Sequence, residues 1–261
     1  MAVKLVVSGC CGKMGSSIAA LARPSGLLAG GIEAKTHSAI GRDLGEVLWG
    51  EPLGVKVTDD VASTLRQADV LIEFTTPEAT MEHLQIVFSL KKAMVIGTTG
   101  LTDADQQLIA KASEHIPIVF SSNMSIGANV LFELVEIAAQ RLSPSYGVKI
   151  SETHHIHKKD KPSGTAKRLY ELIANIRRNQ WGLSTDPPES IRKGEVVGDH
   201  TVIFSTQFER LELTHHAETR DVFAAGAIEA AKFVVGQPPG LYDMSHVLGA
   251  SPRLRHAAPQ R

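Results

Sequence analysis

The stretch K-L-V-V-S-G-C-C-G-K-M-G, residues 4–15, decides the fold. Lys4 to Val7 is a short apolar strand, Gly9, Gly12 and Gly15 follow, and Ser16 to Ala22 reads as an apolar helix. A strand that turns through glycines into a helix is the setting of a dinucleotide-binding fingerprint. The spacing here is G-x-x-G-x-x-G rather than G-x-G-x-x-G, and the physics is the same. Glycines let the backbone turn tightly and approach a pyrophosphate, which rests on the free N–H groups of the helix start. Gly9, Cys10, Cys11, Gly12, Lys13 and Met14 are therefore candidate cofactor-binding residues.

Outward from this stretch, Leu27 to Ile32 is a second apolar strand that ends in Glu33. An acid about 20 residues after the glycines is placed to accept hydrogen bonds from the adenosine ribose hydroxyls. Glu33 favours NADH; Lys35 softens the penalty against a 2′-phosphate, so NADPH stays open. Residues 38–57 are rich in glycine and proline and read as loop with a short strand near Val55, followed by a short helix over Ala62–Gln67. Ala68 to Phe74 is a buried strand, with Thr75 after it and a helix that has Pro77 in its first turn. Met94 to Ile96 runs into Gly97, Thr98 and Thr99. Thr102 and Asp105 form a capping-box start to a helix reaching about Ser113. Ile116 to Phe120 runs into Ser121, Ser122, Asn123 and Met124. Alternating strands and helices predict a doubly wound parallel sheet, whose ligands bind beyond the carboxyl ends of the strands. Gly9 to Met14, Glu33, Thr75, Gly97 to Thr99 and Ser121 to Met124 all fall at such ends.

The bulk properties bound the function. A chain of 261 residues makes one large or two ordinary domains. A formal net charge of −1 argues against a nucleic-acid or membrane-surface partner. The two cysteines are adjacent, Cys10 and Cys11, so there is no disulfide framework, and no apolar run reaches the length of a membrane span. The first strand starts almost at once, leaving no room for a signal peptide. These features predict a soluble, cytoplasmic protein.

The second half centres on E-T-H-H-I-H-K-K-D-K-P-S-G-T, residues 152–165. A strand over Gly147–Ser151 leads into it, after an apolar helix over Asn129–Leu142. If the strand persists to His157, then Ile150, Glu152 and His154 share one face, and His155 and His157 point the other way. His154 then leaves the packed face at the strand's end, where a ligand reaches it. Ser163 is the N-cap candidate of a helix reading from Ala166 to about Arg178, and Gly164 and Thr165 lie in its first turn, an anion site. With Lys158 one loop away, the segment offers an imidazole, a cation and a helix end to an anionic small molecule. His155 and His157 lack a third ligand of suitable spacing, so no metal is expected. Asn179 to Glu195 reads as loop, and the period then becomes 2 over Val196–Val197, Thr201–Thr206 and Arg210–His216, an antiparallel meander. His215 and His216 read as sheet-face residues. Phe223 to Val235 is an apolar helix, a short final helix follows, and the basic tail 251–261 reads as frayed.

Read with G-T-T-G (97–100), S-S-N-M-S-I-G-A-N-V (121–130) and G-L-Y-D-M (240–244), the central segment E-x-H-H-x-H-K-x-D-x-P-S-G-T-A resembles the 4-hydroxy-tetrahydrodipicolinate reductase (dihydrodipicolinate reductase) family. The resemblance covers all but about the last ten residues. It implies a Rossmann-type doubly wound domain, residues 1–125 with 236–261 returning to it. It also implies an α+β substrate and tetramerisation domain over 126–235, with a mixed, largely antiparallel sheet, and a homotetramer. The implied reaction is NADH- or NADPH-dependent reduction of a cyclic imine dicarboxylate in the diaminopimelate–lysine route. By matching positions, His154 would be the proton donor and Lys158 its cationic partner. His155, Gly164 and Thr165, with Ser163 beside them, would bind substrate. Family members that use NADP well carry an arginine after the acid, where this chain has Ala34; some also carry one at Thr76. The Cys10–Cys11 pair replaces smaller residues of the loop. The alternatives are another NAD(P)-dependent reductase of a small carboxylated substrate on the same fold, or a non-catalytic NAD-binding regulator.

Overall fold

The computed structural model describes residues 2–249. The expected fraying of the tail lies outside them. The chain divides into two compact units, residues up to 124 with 223 onward, and 125–222.

In the first unit the chain runs β1 (Leu5–Ser8), α1 (Lys13–Ala22), β2 (Leu28–Ile32), α2 (Leu44–Trp49), β3 (Val57–Thr58), α3 (Val61–Arg66), β4 (Val70–Glu73), α4 (Pro77–Ser89), β5 (Ala93–Ile96), α5 (Asp103–Ser113) and β6 (Pro117–Phe120). The second unit holds α6 (Ile126–Arg141), β7 (Gly147–His154), α7 (Gly164–Trp181), β8 (Glu189–Arg192), β9 (Gly198–Ser205) and β10 (Arg210–Ala217). The chain ends with α8 (Asp221–Val234), β11 (Gly240–Tyr242) and α9 (Met244–Val247).

The sheet of the first unit is parallel throughout, in the order β11-β6-β5-β4-β1-β2-β3. The order reverses between β1 and β4, so the carboxyl ends of those two strands form the switch point where α/β sheets take ligands. Strand periodicity partitions the core. Leu5, Val7, Val70, Ile72 and Val95 enter one cluster with α1 and α8; Val6, Leu71, Met94 and Ile96 enter the other with α3, α4 and α5. Both faces are covered, which is why these strands read as unbroken apolar runs.

The expected domain boundary at 235 moves to 222. Ala224, Ala227, Ile228, Ala230, Ala231 and Val234 of α8 are buried in the same cluster as β1, so this helix packs with the first unit. Two further readings change. Residues 38–57 contain α2, whose N-cap Asp43 accepts from the Gly45 and Glu46 N–H groups. The expected loop 179–195 contains β8, which pairs in parallel with β7.

The sheet of the second unit has the order β10-β9-β7-β8, antiparallel except for that pair. Ile150, Val202 and Phe204 lie on its covered face, against Leu131 and Val135 of α6 and Leu169 and Ile173 of α7. That face continues along β7 into Glu152 and His154, where it turns polar while still buried.

Candidate active site

In the first unit the glycine turn is fixed by backbone bonds to the neighbouring strand. The N–H groups of Gly9 and Cys10 donate to Ile32 O at 2.9 and 3.2 Å. Gly9 has φ +68°, in the left-handed region that favours glycine. A Cβ on Gly15 would lie 2.0 Å from Gly9 O, so α1 can approach its own entry turn only with glycine there. Gly12 is the N-cap of α1, with no side-chain cap and no acid in the first turn. The helix start therefore offers N–H groups and the positive end of its dipole to an anion. Cys11 N–H donates to Glu33 Oε1 at 2.7 Å, which draws the ribose-binding candidate onto the loop.

The two cysteines part company. Cys10 is fully buried and its Sγ would lie 2.9 Å from a Cβ on Gly31, so its side chain fills core and only its backbone belongs to the loop. Burial pushes its thiol pKa far up, with the neighbouring Cys11 and Glu33 adding to the effect. Neither cysteine is in a disulfide.

Met14, Gly97, Thr98, Thr99, Ser121, Ser122, Asn123 and Met124 come together around a groove of about 340 Å³, joined by Phe74, Thr75 and Phe223. A Cβ on Gly97 would sit 2.2 Å from the Phe74 ring, so the ring closes down on the glycine. Thr98 is spent internally: its hydroxyl bonds the Thr75 N–H at 3.2 Å and the Thr80 hydroxyl at 2.8 Å. Below the switch point lies a network that sequence reading missed. Glu73 is fully buried, paired with His83 Nδ1 at 2.6 Å, and accepts from the Thr75 hydroxyl. An acid inside the apolar run 70–73 was its only signal. An uncapped helix start, a glycine turn closed to side chains and a groove beyond the strand ends together fit a dinucleotide.

In the second unit β7 stops at His154, so His155 and His157 lie in the turn after it rather than on a strand face. His154 is 7% exposed, more enclosed than a position at a strand's end implied. Its Nδ1 lies 2.8 Å from Glu152 Oε2, without the alignment of a hydrogen bond, and its ring meets His200 edge-to-face at 5.1 Å. Gly198 walls the other side; a Cβ there would lie 3.0 Å from His154 Nε2. Burial pulls the His154 pKa below the ordinary imidazole value, Glu152 pulls it back up, and Lys158 and Arg192 push it down.

Glu152 is itself fully buried at its side chain. Its Oε1 accepts from Arg192 Nη2 at 3.1 Å and from the Ser163 N–H at 3.2 Å. Burial alone would raise its pKa; hydrogen bonds from Ser163, Ser190 and Arg192 outweigh that and hold it at about 2. Lys158 is ion-paired with Asp160 at 2.8 Å. Ser163 caps α7 as expected, accepting from Ala166 N–H at 3.2 Å, and its hydroxyl also lies 3.1 Å from His200 Nε2. Gly164 opens the helix with no heavy atom within 4 Å of an added Cβ, and Thr165 follows it in the first turn. His155 Nδ1 is enclosed with no hydrogen-bond partner.

Sequence reading missed Arg192 and His200. His200 comes opposite Glu152 by the β7–β9 register, and Arg192 opposite His154 by the β7–β8 register. The donor atoms of Glu152, His154 and His200 lie within 4.8 Å of one another, a spacing a metal could use. The Arg192 guanidinium already neutralises the carboxylate in that cluster. Among the described residues no helix is long and apolar enough to cross a membrane.

Comparison with known proteins gives a consistent picture. The family model described as dihydrodipicolinate reductase, N-terminus, matches residues 3–124, and the one for its C-terminus matches residues 127–248. A 4-hydroxy-tetrahydrodipicolinate reductase of Anaeromyxobacter dehalogenans is 44% identical over 94% of this chain and 97% of its own. One from Syntrophobacter fumaroxidans is 44% identical over 95% and 99%. Among solved structures, dipicolinate-bound dihydrodipicolinate reductase from Paenisporosarcina sp. TG-14 shares the fold, with a TM-score of 0.77 at 23% identity over 93% of this chain and 98% of that one.

Proposed function

The chain belongs to the dihydrodipicolinate reductase family, oxidoreductases of lysine and diaminopimelate biosynthesis that use a nicotinamide cofactor, and from that premise we propose how its residues divide the reaction. It reduces 4-hydroxy-tetrahydrodipicolinate, via dihydrodipicolinate, to tetrahydrodipicolinate. The Gly9–Met14 loop takes the cofactor pyrophosphate, Glu33 takes the adenosine ribose, and the groove of Gly97–Thr99 and Ser121–Met124 takes the nicotinamide end. A bound nicotinamide supplies hydride to the conjugated imine. His154 donates the proton that balances the electron density this leaves, and a weakly held proton on a buried imidazole suits that step. Lys158 is the cationic partner. The start of α7 at Ser163, Gly164 and Thr165, with His155, binds the dicarboxylate.

One observation carries the reading: the Glu152–His154 pair lies beside the start of α7, where Gly164 leaves open space and Ser163 N–H touches Glu152. NADH is the preferred cofactor, because the Glu33 carboxylate disfavours a 2′-phosphate and Ala34 brings no compensating charge. We also propose a homotetramer, supported by Ile126, Val130, Leu134 and Ile137, a stripe along α6 that is 37–46% exposed. The protein works in the cytoplasm, in keeping with its free cysteines.

The test follows nicotinamide absorbance with enzymatically generated 4-hydroxy-tetrahydrodipicolinate, with NADH and NADPH in parallel. Rapid oxidation, faster with NADH, is expected. A folded, NADH-binding protein that oxidises neither cofactor would reject the assignment, and light scattering of the eluted protein checks the tetramer.

A further inference from the structure

We propose that Glu152 is a positioning residue for the reaction: its carboxylate, 2.8 Å from His154 Nδ1, stabilises the protonated form of the ring, and Arg192 fixes Glu152 in turn. The inference rests on the reading of His154 as proton donor. The groups facing His154 come from every neighbouring element. On β7 there is Glu152, at 2.8 Å; in the following loop, Lys158 paired with Asp160; on β8, Arg192; and on β9, His200, which itself faces His215 of β10. Burial, Lys158 and Arg192 all work against an imidazolium there. Of the two acids near it, Asp160 is engaged by Lys158, whereas Glu152 is fully buried and offers Oε2 to the ring alone.

The carboxylate can do this because its other oxygen is held. Arg192 Nη2 and the Ser163 N–H both reach Oε1, so Glu152 cannot rotate away and stays anionic. Arg192 does more than neutralise it. Its Nε donates to Lys158 O at 3.2 Å and its Nη2 to Asp160 O, so one guanidinium ties the carboxylate to the loop that carries Lys158. The Ser163 N–H links the same carboxylate to the start of α7. Glu152 thus sets the proton donor, the cation-bearing loop and the anion-binding helix in one register. A buried carboxylate held this way costs desolvation, which stability alone does not require.

The experiment uses the full chain with Glu152→Gln, Glu152→Asp and His154→Gln, each checked for NADH affinity. Two readouts decide: kcat/KM against pH, and the His154 titration followed by NMR of imidazole-labelled protein without substrate. Glu152→Gln keeps the shape and removes the charge. It should lower the His154 titration midpoint by about one pH unit and cut kcat/KM at neutral pH roughly tenfold, with NADH affinity unchanged. Glu152→Asp, which keeps the charge one methylene further back, should show a smaller shift in the same direction and stands in if the glutamine variant does not fold. An unmoved His154 titration and pH profile, with His154→Gln inactive, would overturn the inference. Full turnover in His154→Gln would instead reject the proton-donor reading, and the titration would still decide whether Glu152 tunes the ring.

Discussion

Gly164→Ala separates what the start of α7 does for folding from what it does for substrate. Gly164 is the first residue of the helix, it does not occupy the left-handed region, and an added Cβ meets nothing within 4 Å. The Ser163 cap bonds Ala166 N–H and survives the change. For the free protein the substitution should stabilise by about 0.4–1 kcal/mol, because alanine loses less backbone freedom on folding. That corresponds to a rise in Tm of roughly 1–4 °C. For the substrate the outcome is the reverse. A methyl group in that open space holds a carboxylate off the first-turn N–H groups, where a charged hydrogen bond contributes about 1.5–3 kcal/mol. KM should then rise roughly 10- to 100-fold, with kcat changing less, since the contact is made in ground and transition states alike. Thermal unfolding without substrate and initial rates across substrate concentration read the two effects separately. A variant with raised Tm and KM within twofold of the parent would refute the placing of a substrate carboxylate at this helix end.

Three further outcomes follow from the same geometry. His154→Gln should lower kcat by about 100-fold or more with KM changing only a few-fold, as expected for a group that acts in proton transfer; steady-state rates at saturating NADH check this. Ala34→Arg should raise kcat/KM with NADPH relative to NADH, because it supplies the cation that Glu33 lacks, and an unaltered ratio would place the 2′ position elsewhere. His200 is buried and its pKa is depressed from 6.5 to about 4, chiefly by burial and then by His154. The unfolded chain therefore binds a proton in that window that the folded chain does not. Stability is full above pH 6.5 and declines as pH falls toward 4, by about 3 kcal/mol. Urea midpoints measured across that range should fall in the parent and flatten in His200→Asn; parallel slopes would remove His200 as the cause.

Much of this molecule was legible in its sequence wherever the cause was local. The apolar run Leu5–Val7 announces a doubly covered strand, and Thr102 with Asp105 is the capping box the structure contains. Ser163 reads as an N-cap and is one. Some local signals were outweighed. Asp43 three residues before Glu46 marks the start of α2, but four glycines and Pro52 around it make the segment read as loop. For β8 the signal is absent: Glu189–Arg192 is a half-exposed edge strand that exists because β7 supplies its hydrogen bonds. The sequence reading places α8 in the second domain, and the fold overturns that for a related reason. Its alanine-rich face suits either unit, and only the packed core assigns it to the first.

The proton-donor site shows where local reading stops and why. Alternation along β7 puts Ile150, Glu152 and His154 on one face, and the fold covers that face with helices, so Glu152 is buried where the sequence alone shows only the shared face. A buried carboxylate requires a cation and hydrogen-bond donors, because leaving it unpaired costs several kcal/mol. The requirement follows once the burial is known, and the sequence does not name the partner. Arg168, Arg177, Arg178 and Arg192 all lie within a few dozen residues, and nothing in their spacing ranks them. Arg192 is selected because β8 adds to the edge of β7 in parallel, with His154 opposite Arg192. His200 is selected by the antiparallel register that sets it opposite Glu152. A slip of one residue in the β7–β8 pairing would turn Arg192 to the other face and leave Glu152 buried with no counter-charge, and a slip in the β7–β9 pairing would turn His200 away. The polar cluster thus helps specify the strand register, and the same contacts that make the donor site make the alternative pairings costly.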